Sequence, residues 1–216
     1  MPLKIRFSNP GKSWINLPTS YNEILQGFIY NHLDKSLAKA LHNEGFEDSR
    51  TKRKLKFFTF SRLISQKVQL TNGILRLYGE LLLVICSPYQ DFLHSLATNL
   101  LKAEKIRLGE EELFLSSIEV FPSPKYKERI LVKTLSPITV YSTLKTPSGK
   151  KKTYYYSPFE REFEELLLKN LHRKVRVWFG KEVEISGSIK PYKVSSKNQR
   201  IVIYKRYSYK RVGWNF

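Results

Sequence analysis

Four histidines, His32, His42, His94 and His172, are the side chains here best suited to move protons near neutral pH, because an unperturbed imidazole titrates at about 6.5. None is paired in a spacing such as H-x-x-x-H, and no tight aspartate–glutamate cluster accompanies them. Zinc hydrolysis and two-metal cleavage therefore lack ligands, and no metal site or cofactor is expected. The run Glu110-Glu111-Glu112 reads as a solvated turn. Neither G-x-x-x-x-G-K-[ST] nor G-x-G-x-x-G is present, which removes the usual phosphate cradles of nucleotide-driven chemistry. The single cysteine, Cys86, follows the apolar stretch Leu81–Ile85 and reads as a core residue. One cysteine excludes an internal disulfide and a cysteine-based zinc site. What survives is metal-free cleavage of RNA. The 2′-hydroxyl is the nucleophile, so a protein need only move protons and stabilise the charge of a phosphorane. Histidine suits the proton work, tyrosine can position or deprotonate, and lysine can stabilise charge. On residue types alone His42 is a candidate, against the commoner case of a surface or core histidine.

The charge points to the same substrate. The 216 residues carry 38 Lys+Arg and 19 Asp+Glu, a formal charge of +19, with 41% hydrophobic and 13% aromatic residues. That is ample material for a buried core, so general disorder is excluded. Residues 1–120 hold 16 basic and 12 acidic side chains, whereas residues 121–216 hold 22 and 7. So strong a field on one half attracts phosphate chains and releases their counterions. Aromatic residues are interleaved with it, in Lys151-Lys152-Thr153-Tyr154-Tyr155-Tyr156 and Tyr204-Lys205-Arg206-Tyr207-Ser208-Tyr209-Lys210-Arg211. Basic groups hold a backbone while tyrosine faces stack on unpaired bases, the logic of single-stranded RNA binding. Lys151, Lys152, Lys190, Lys193, Arg200, Lys205 and Arg206 are the expected contacts. The competing reading is a half-buried sheet on which Tyr and Lys alternate. No apolar run approaches the ~20 residues that cross a bilayer, and the start resembles a strand rather than a signal peptide. A cytosolic protein with a polyanionic partner is expected.

Elements that would position these groups follow from periodicity. A strand fits Leu3–Phe7, and a helix opens at the capping-box pattern Ser20-Tyr21-Asn22-Glu23, with Leu25, Phe28, Ile29 and Leu33 inward. A second short helix starts near Asp34 or Ser36 and stops at Gly45. Strands fit Leu55–Leu63 and Gly73–Ser87, the latter broken at Tyr78-Gly79; Ser87-Pro88 opens a helix, and Leu113–Phe121 is a strand. This is the ferredoxin-like order, also used by RNA-recognition modules. After a junction at Pro122-Ser123-Pro124-Lys125 the order restarts. A strand fits Ile130–Tyr141, a turn Pro147-Ser148-Gly149, a helix Pro158–His172, and strands Glu182–Val194 and Arg200–Tyr209. The expected class is α+β, with tandem ferredoxin-like domains at 1–122 and 123–216, the second incomplete at its C-terminus.

Ile24-Leu25-Gln26-Gly27-Phe28-Ile29-Tyr30-Asn31, then Leu41-His42, then Lys56-Phe57-Phe58-Thr59-Phe60-Ser61 resemble the N-terminal half of the CRISPR-associated repeat endoribonucleases that process precursor CRISPR RNA, the sixth Cas family of the RAMP superfamily. Val132-Lys133-Thr134-Leu135-Ser136-Pro137-Ile138 is similar to the opening of that family's second half. The resemblance implies tandem ferredoxin-like domains and metal-independent cleavage within the repeat, leaving a 5′-hydroxyl and a 2′,3′-cyclic phosphate. It implies Tyr30 as proton acceptor, His42 as donor to the leaving 5′-oxygen and Lys56 as the group that stabilises the transition state. Lys52 and Lys54 compete for the lysine role and are otherwise RNA contacts. The family's glycine-rich loop near the C-terminus is missing from a chain ending Gly213-Trp214-Asn215-Phe216, which implies a truncated second domain. CRISPR repeat RNA is the implied partner, in a monomer or homodimer. The alternative is a non-catalytic RNA-binding subunit of a multi-subunit CRISPR effector complex. An unrelated protein with two recognition modules is disfavoured, because Lys56-Phe57-Phe58-Thr59-Phe60 lacks the glycine of an RNP1 sequence.

Tyr30 and His42 cannot act on one phosphate from one straight helix. Twelve positions separate them by about 18 Å along the axis and about 120° around it. A break at Asp34-Lys35-Ser36 is therefore expected, where Asp34 and Ser36 are good caps for a new helix.

Overall fold

The computed structural model describes residues 1–123, 125, 127–204 and 209–214. They form two units, one of residues 1–45 and 56–128, the other of residues 46–55 and 129–216.

In the first unit β1 (Pro2–Ser8) buries Leu3, Ile5 and Phe7, the alternation of a strand with one face in a core. β2 (Trp14–Pro18), α1 (Asn22–Asn31) and α2 (Lys35–Lys39) follow. β3 (Phe46–Asp48) and β4 (Arg53–Leu55) pair as a hairpin of the second unit. The first unit resumes with β5 (Thr59–Phe60), β6 (Lys67–Thr71), β7 (Ile74–Tyr78), β8 (Leu81–Cys86), α3 (Gln90–Lys102), β9 (Ile106–Leu108) and β10 (Glu111–Val120). Its main sheet is antiparallel, in the order β5-β8-β1-β10-β9. With α1 between β1 and β5, and α3 between β8 and β10, this is the expected ferredoxin-like arrangement. α1 buries Leu25, Phe28 and Ile29, and α3 buries Phe92, Leu96 and Leu100. Phe7 meets Phe28 edge to face with ring centroids 5.6 Å apart. Each such buried side chain stabilises the unit by about 1.5–3 kcal/mol.

A second sheet, β2-β7-β6, was not read from the sequence. Its β6–β7 turn has Asn72 at φ 50 and Gly73 at φ 77, the paired positive values of a type I′ hairpin. The expected break at Tyr78-Gly79 separates β7 from β8, with Gly79 at φ 76. The Ser20–Glu23 capping box does not form. The residue before α1 is Tyr21, which makes no side-chain cap; it is buried, and its hydroxyl accepts the Leu63 N–H at 3.2 Å. α3 starts two residues after Pro88, because Ser87 Oγ accepts the Tyr89 N–H at 3.0 Å and donates to the Phe57 carbonyl at 2.6 Å. The strand expected over Leu55–Leu63 is interrupted where the Phe58 N–H turns back to the Lys56 carbonyl at 2.7 Å.

In the second unit β11 (Tyr141–Lys145) and β12 (Lys151–Tyr155) pair around the expected turn, closed by Gly149 N–H to Thr146 C=O at 2.8 Å. α4 (Arg161–Phe179) passes the expected end at His172 and stops at Gly180, φ 66. Val175-Arg176-Val177-Trp178 alternates like a strand, yet a glycine in the left-handed region ends a helix efficiently. β13 (Gln199–Tyr204) and β14 (Tyr209–Trp214) pair antiparallel. Among the described residues no strand covers 182–194, and the one expected over 130–141 is reduced to the start of β11. Alternation there meets no core: Ile130, Leu131 and Val132 are exposed. A small core surrounds Val140 and Phe163, with Ile138, Tyr156, Leu166, Leu167 and Val194. Asp48, fully buried, accepts from Arg176 at 2.7 Å and Thr51 at 2.5 Å, with Arg173 3.5 Å away. The Thr51 hydroxyl and the Arg176 guanidinium hold its carboxyl down to about 2. Among the described residues no helix is long and apolar enough to cross a membrane.

Candidate active site

α1 ends where its last turn tightens. The His32 N–H reaches back to Phe28 and Ile29, and the Leu33 N–H to Tyr30. His32 Nδ1 lies 2.8 Å from the Phe28 carbonyl; a carbonyl only accepts, so that nitrogen carries the proton. Leu33 is buried, and Asp34 is extended at φ −55, ψ 137. Asp34 stands before α2 but makes no side-chain cap. Its N–H donates to Ser95 Oγ at 2.9 Å and its carboxylate accepts from Asn99 at 3.1 Å. Hydrogen bonds from Asn99, then Ser95, lower its pKa. The break expected at Asp34-Lys35-Ser36 is thus present, and α3 fastens it.

Past α2 the chain makes a wider turn, in which Gly45 N–H donates to Ala40 C=O at 2.9 Å and Gly45 adopts φ 58. Five-residue turns of this π type recur at functional sites. Leu41 anchors the turn in the core and leaves its neighbour His42 exposed. The fold-back brings the His42 and Tyr30 rings to 5.7 Å between centroids, edge to face at 82°. The Lys56 ammonium lies 5.2 Å from the Tyr30 ring centroid. Beneath them Phe58 contacts Tyr30 edge to face at 5.9 Å and stacks on Phe92 at 4.8 Å. Phe58 and Phe92, absent from the sequence-based site, tie it to the core.

His42 Nδ1 and Asn43 Oδ1 are 3.0 Å apart. With the amide oxygen accepting, Nδ1 carries the proton and Nε2 is the position open to a substrate. The Tyr30 hydroxyl is buried with no hydrogen-bond partner among the described residues. Such a group costs about 1–3 kcal/mol, and it calls for an explanation in function or bound solvent. One exposed imidazole, one phenol and one ammonium brought this close can supply a proton donor, a proton acceptor and a positive charge. No group of three or more His, Cys, Asp or Glu that could hold a metal occurs among the described residues.

The other expected residues stand elsewhere. Lys52 belongs to the second unit, at φ 53, with its ammonium 3.4 Å from Glu47. Lys54 is exposed on β4. Lys151 and Lys152 are exposed on β12, opposite Lys145 and Leu144. On that hairpin Tyr141 and Tyr155 meet at 5.7 Å. Lys190 is exposed, and Lys193 sits 5.4 Å over the Tyr192 ring. Lys205 and Arg206, and the side chain of Arg200, lie outside the described residues.

Comparison with known proteins gives a consistent result. Residues 16–119 match the family model described as CRISPR-associated protein Cas6, N-terminal, and residues 119–216 the one described as CRISPR associated protein Cas6, C-terminal. CRISPR-associated endoribonuclease Cas6 1 of Methanocaldococcus jannaschii is 33% identical over 189 residues, 86% of this chain and 70% of that protein. A solved CRISPR associated protein Cas6 superposes with a TM-score of 0.74 at 26% identity, over 100% of this chain and 85% of that one. Two further structures, at 20% identity each, share the fold. One is described as an RAMP protein binding different RNA substrates (TM-score 0.72, covering 100% and 85%), the other as a Cas6-related gene product from Pyrococcus furiosus (0.73, 100% and 84%). The α+β class and tandem ferredoxin-like architecture stand.

Proposed function

This chain belongs to the Cas6 family of CRISPR-associated proteins, and on that premise we propose that it is an endoribonuclease that cuts precursor CRISPR RNA within its repeats, without a metal. Tyr30 as the phenolate takes the proton of the 2′-hydroxyl, His42 as the imidazolium gives its Nε2 proton to the departing 5′-oxygen, and Lys56 stabilises the charge of the phosphorane. The products are a 5′-hydroxyl and a 2′,3′-cyclic phosphate. The observation that carries this reading is the convergence of the Tyr30 phenol ring, the exposed His42 imidazole and the Lys56 ammonium across the fold-back. The relative from Methanocaldococcus jannaschii bears the name of the same activity. RNA binding is assigned to the basic residues Lys151, Lys152, Lys190, Lys193, Arg200, Lys205 and Arg206, with Lys52 and Lys54 as further contacts. The domain division proposed is 1–122 and 123–216.

The test is repeat RNA incubated with the chain in EDTA, beside His42→Ala and beside RNA carrying one 2′-deoxy substitution at the scissile nucleotide. Cleavage by the wild type alone, of the all-ribose RNA alone, is expected. Cutting of the deoxy substrate sinks the mechanism. Binding without cleavage by the wild type would leave the non-catalytic RNA-binding subunit in its place.

A further inference from the structure

The β2-β7-β6 sheet has one face in the core and one that the chemistry above does not use. Ile15, Leu17 and Leu77 point inward and are buried. On the opposite face the register aligns Trp14, Tyr78 and Lys67 in one row, and Asn16, Arg76 and Gln69 in the next, about 7 Å along the strands. Trp14 and Tyr78 are 5.8 Å apart, the Arg76 guanidinium lies 5.6 Å from the Trp14 ring, and the Lys67 ammonium 5.4 Å from the Tyr78 ring. Trp14 is 38% exposed, and Arg76, Lys67, Asn16 and Gln69 are exposed. Neither cation makes an ion pair among the described residues.

We propose that this face is a stacking platform for single-stranded RNA, separate from the Tyr30–His42–Lys56 site. It rests on the endoribonuclease reading, which supplies an RNA longer than the nucleotides at the cut. An exposed tryptophan beside a half-buried tyrosine, flanked by cations without ion pairs, matches the two things a single strand offers: base faces and phosphates. A base stacks in the Trp14–Tyr78 row, while Lys67 and Arg76 meet the adjoining phosphates. The amide of Asn16 stands in reach of a base edge without imposing one sequence, while Gln69 Oε1 accepts from the Tyr78 hydroxyl at 2.9 Å and steadies that ring. A protein partner would instead favour an apolar centre, which this face lacks between its two cations.

The experiment is a fluorescence-anisotropy titration of fluorescein-labelled A12 oligoribonucleotide with the whole chain, wild type beside Trp14→Ala, Trp14→Phe and Lys67→Gln/Arg76→Gln, across a salt series. Trp14→Ala is expected to weaken binding about fivefold to a hundredfold, and Trp14→Phe, which keeps a ring, to restore much of the loss. The double cation variant should make the salt slope shallower by about 1.4. Circular dichroism of each variant separates lost folding from lost stacking, and the salt slope of Lys67→Gln/Arg76→Gln carries the test if Trp14→Ala is unfolded. Affinity and slope equal to wild type in all variants overturn the platform. If those variants still cut repeat RNA, the endoribonuclease reading survives that failure. A dimer that Trp14→Ala dissociates, with A12 affinity unchanged, would assign the face to a second copy and likewise overturn it.

Discussion

Replacing Tyr30 by phenylalanine separates function from stability, because the proposed role of its hydroxyl and the burial of that hydroxyl have opposite signs. The phenol oxygen is buried without a partner, a condition that costs a fold about 1–3 kcal/mol. Phenylalanine removes that oxygen and keeps the ring in contact with His42, Phe58 and the Lys56 ammonium. Tyr30→Phe should therefore be at least as stable as the wild type. Its melting temperature should be unchanged or raised by a few degrees, at about 2–4 °C per kcal/mol for a chain of this size. Cleavage should move the other way. Loss of a general base slows a reaction about 10²–10⁴-fold, or roughly 3–5 kcal/mol of barrier. The assays are urea unfolding followed by far-ultraviolet circular dichroism, and single-turnover cleavage with protein in excess over end-labelled repeat RNA. Wild-type cleavage by Tyr30→Phe would refute the assignment of the hydroxyl to chemistry. A loss of stability beyond about 1 kcal/mol, the net worth of an ordinary hydrogen bond, would refute the claim that the hydroxyl lacks a partner.

Three further outcomes are expected. Ser95→Ala strands the Asp34 N–H and loosens the turn that holds His42 opposite Tyr30; urea unfolding should show a loss of about 1–3 kcal/mol, with a cleavage rate reduced but measurable in single turnover. Asp48 has its carboxyl held down to about 2 against about 3.9 when unfolded, so its contribution to stability is full above pH 4 and is lost as the pH falls through 2. Asp48→Asn should flatten that part of the pH–stability curve, and equal slopes for both proteins would contradict the pairing with Thr51 and Arg176. Affinity for RNA should fall by roughly four orders of magnitude over a tenfold rise in salt if about six of the basic contacts engage phosphates, at about −0.7 per phosphate for single strands; a flat response in the anisotropy titration would remove the electrostatic argument.

Much of the first unit was legible because its signals were local. β1 alternates, α1 and α3 carry apolar residues at helical spacing, and Gly45 and Gly79 mark a stop and a bend where positive φ is needed. Elsewhere tertiary contacts overrode local preference. The side chain of Asp34 had the chemistry of a cap but is engaged by Asn99 of α3. Ser20 and Glu23 had the spacing of a capping box, yet burial of Tyr21 sets the entry to α1. The β6–β7 hairpin was missed although its signal was present: Asn72-Gly73 between alternating Val68-Gln69-Leu70 and Leu75-Arg76-Leu77 is a strong hairpin sequence. In the second unit, alternation over 130–141 and 182–194 suggested strands that the described residues do not form, since a period of two is only a strand when a core receives one face.

The candidate site was legible through a geometric demand rather than through propensity. Residues thirty and forty-two could serve one reaction only if the chain folded back between them, and it does, with Leu33 and Leu41 buried on either side of the bend. Those two leucines explain why the fold-back is stable without a side-chain cap. Each is anchored in the core, so the path between them is set by burial, and the exposed His42 is carried to Tyr30 as a consequence. The packing of the Tyr30 ring was beyond such reasoning, because it depends on Phe58 arriving from a distant segment and stacking on Phe92 of α3. An apolar floor of this kind does two things at once. It fixes the tyrosine ring, and it offers the phenol no hydrogen-bond partner. Rigidity and incompleteness then have the same cause, which is why a variant that completes the packing at Tyr30 should stabilise the fold at the expense of cleavage.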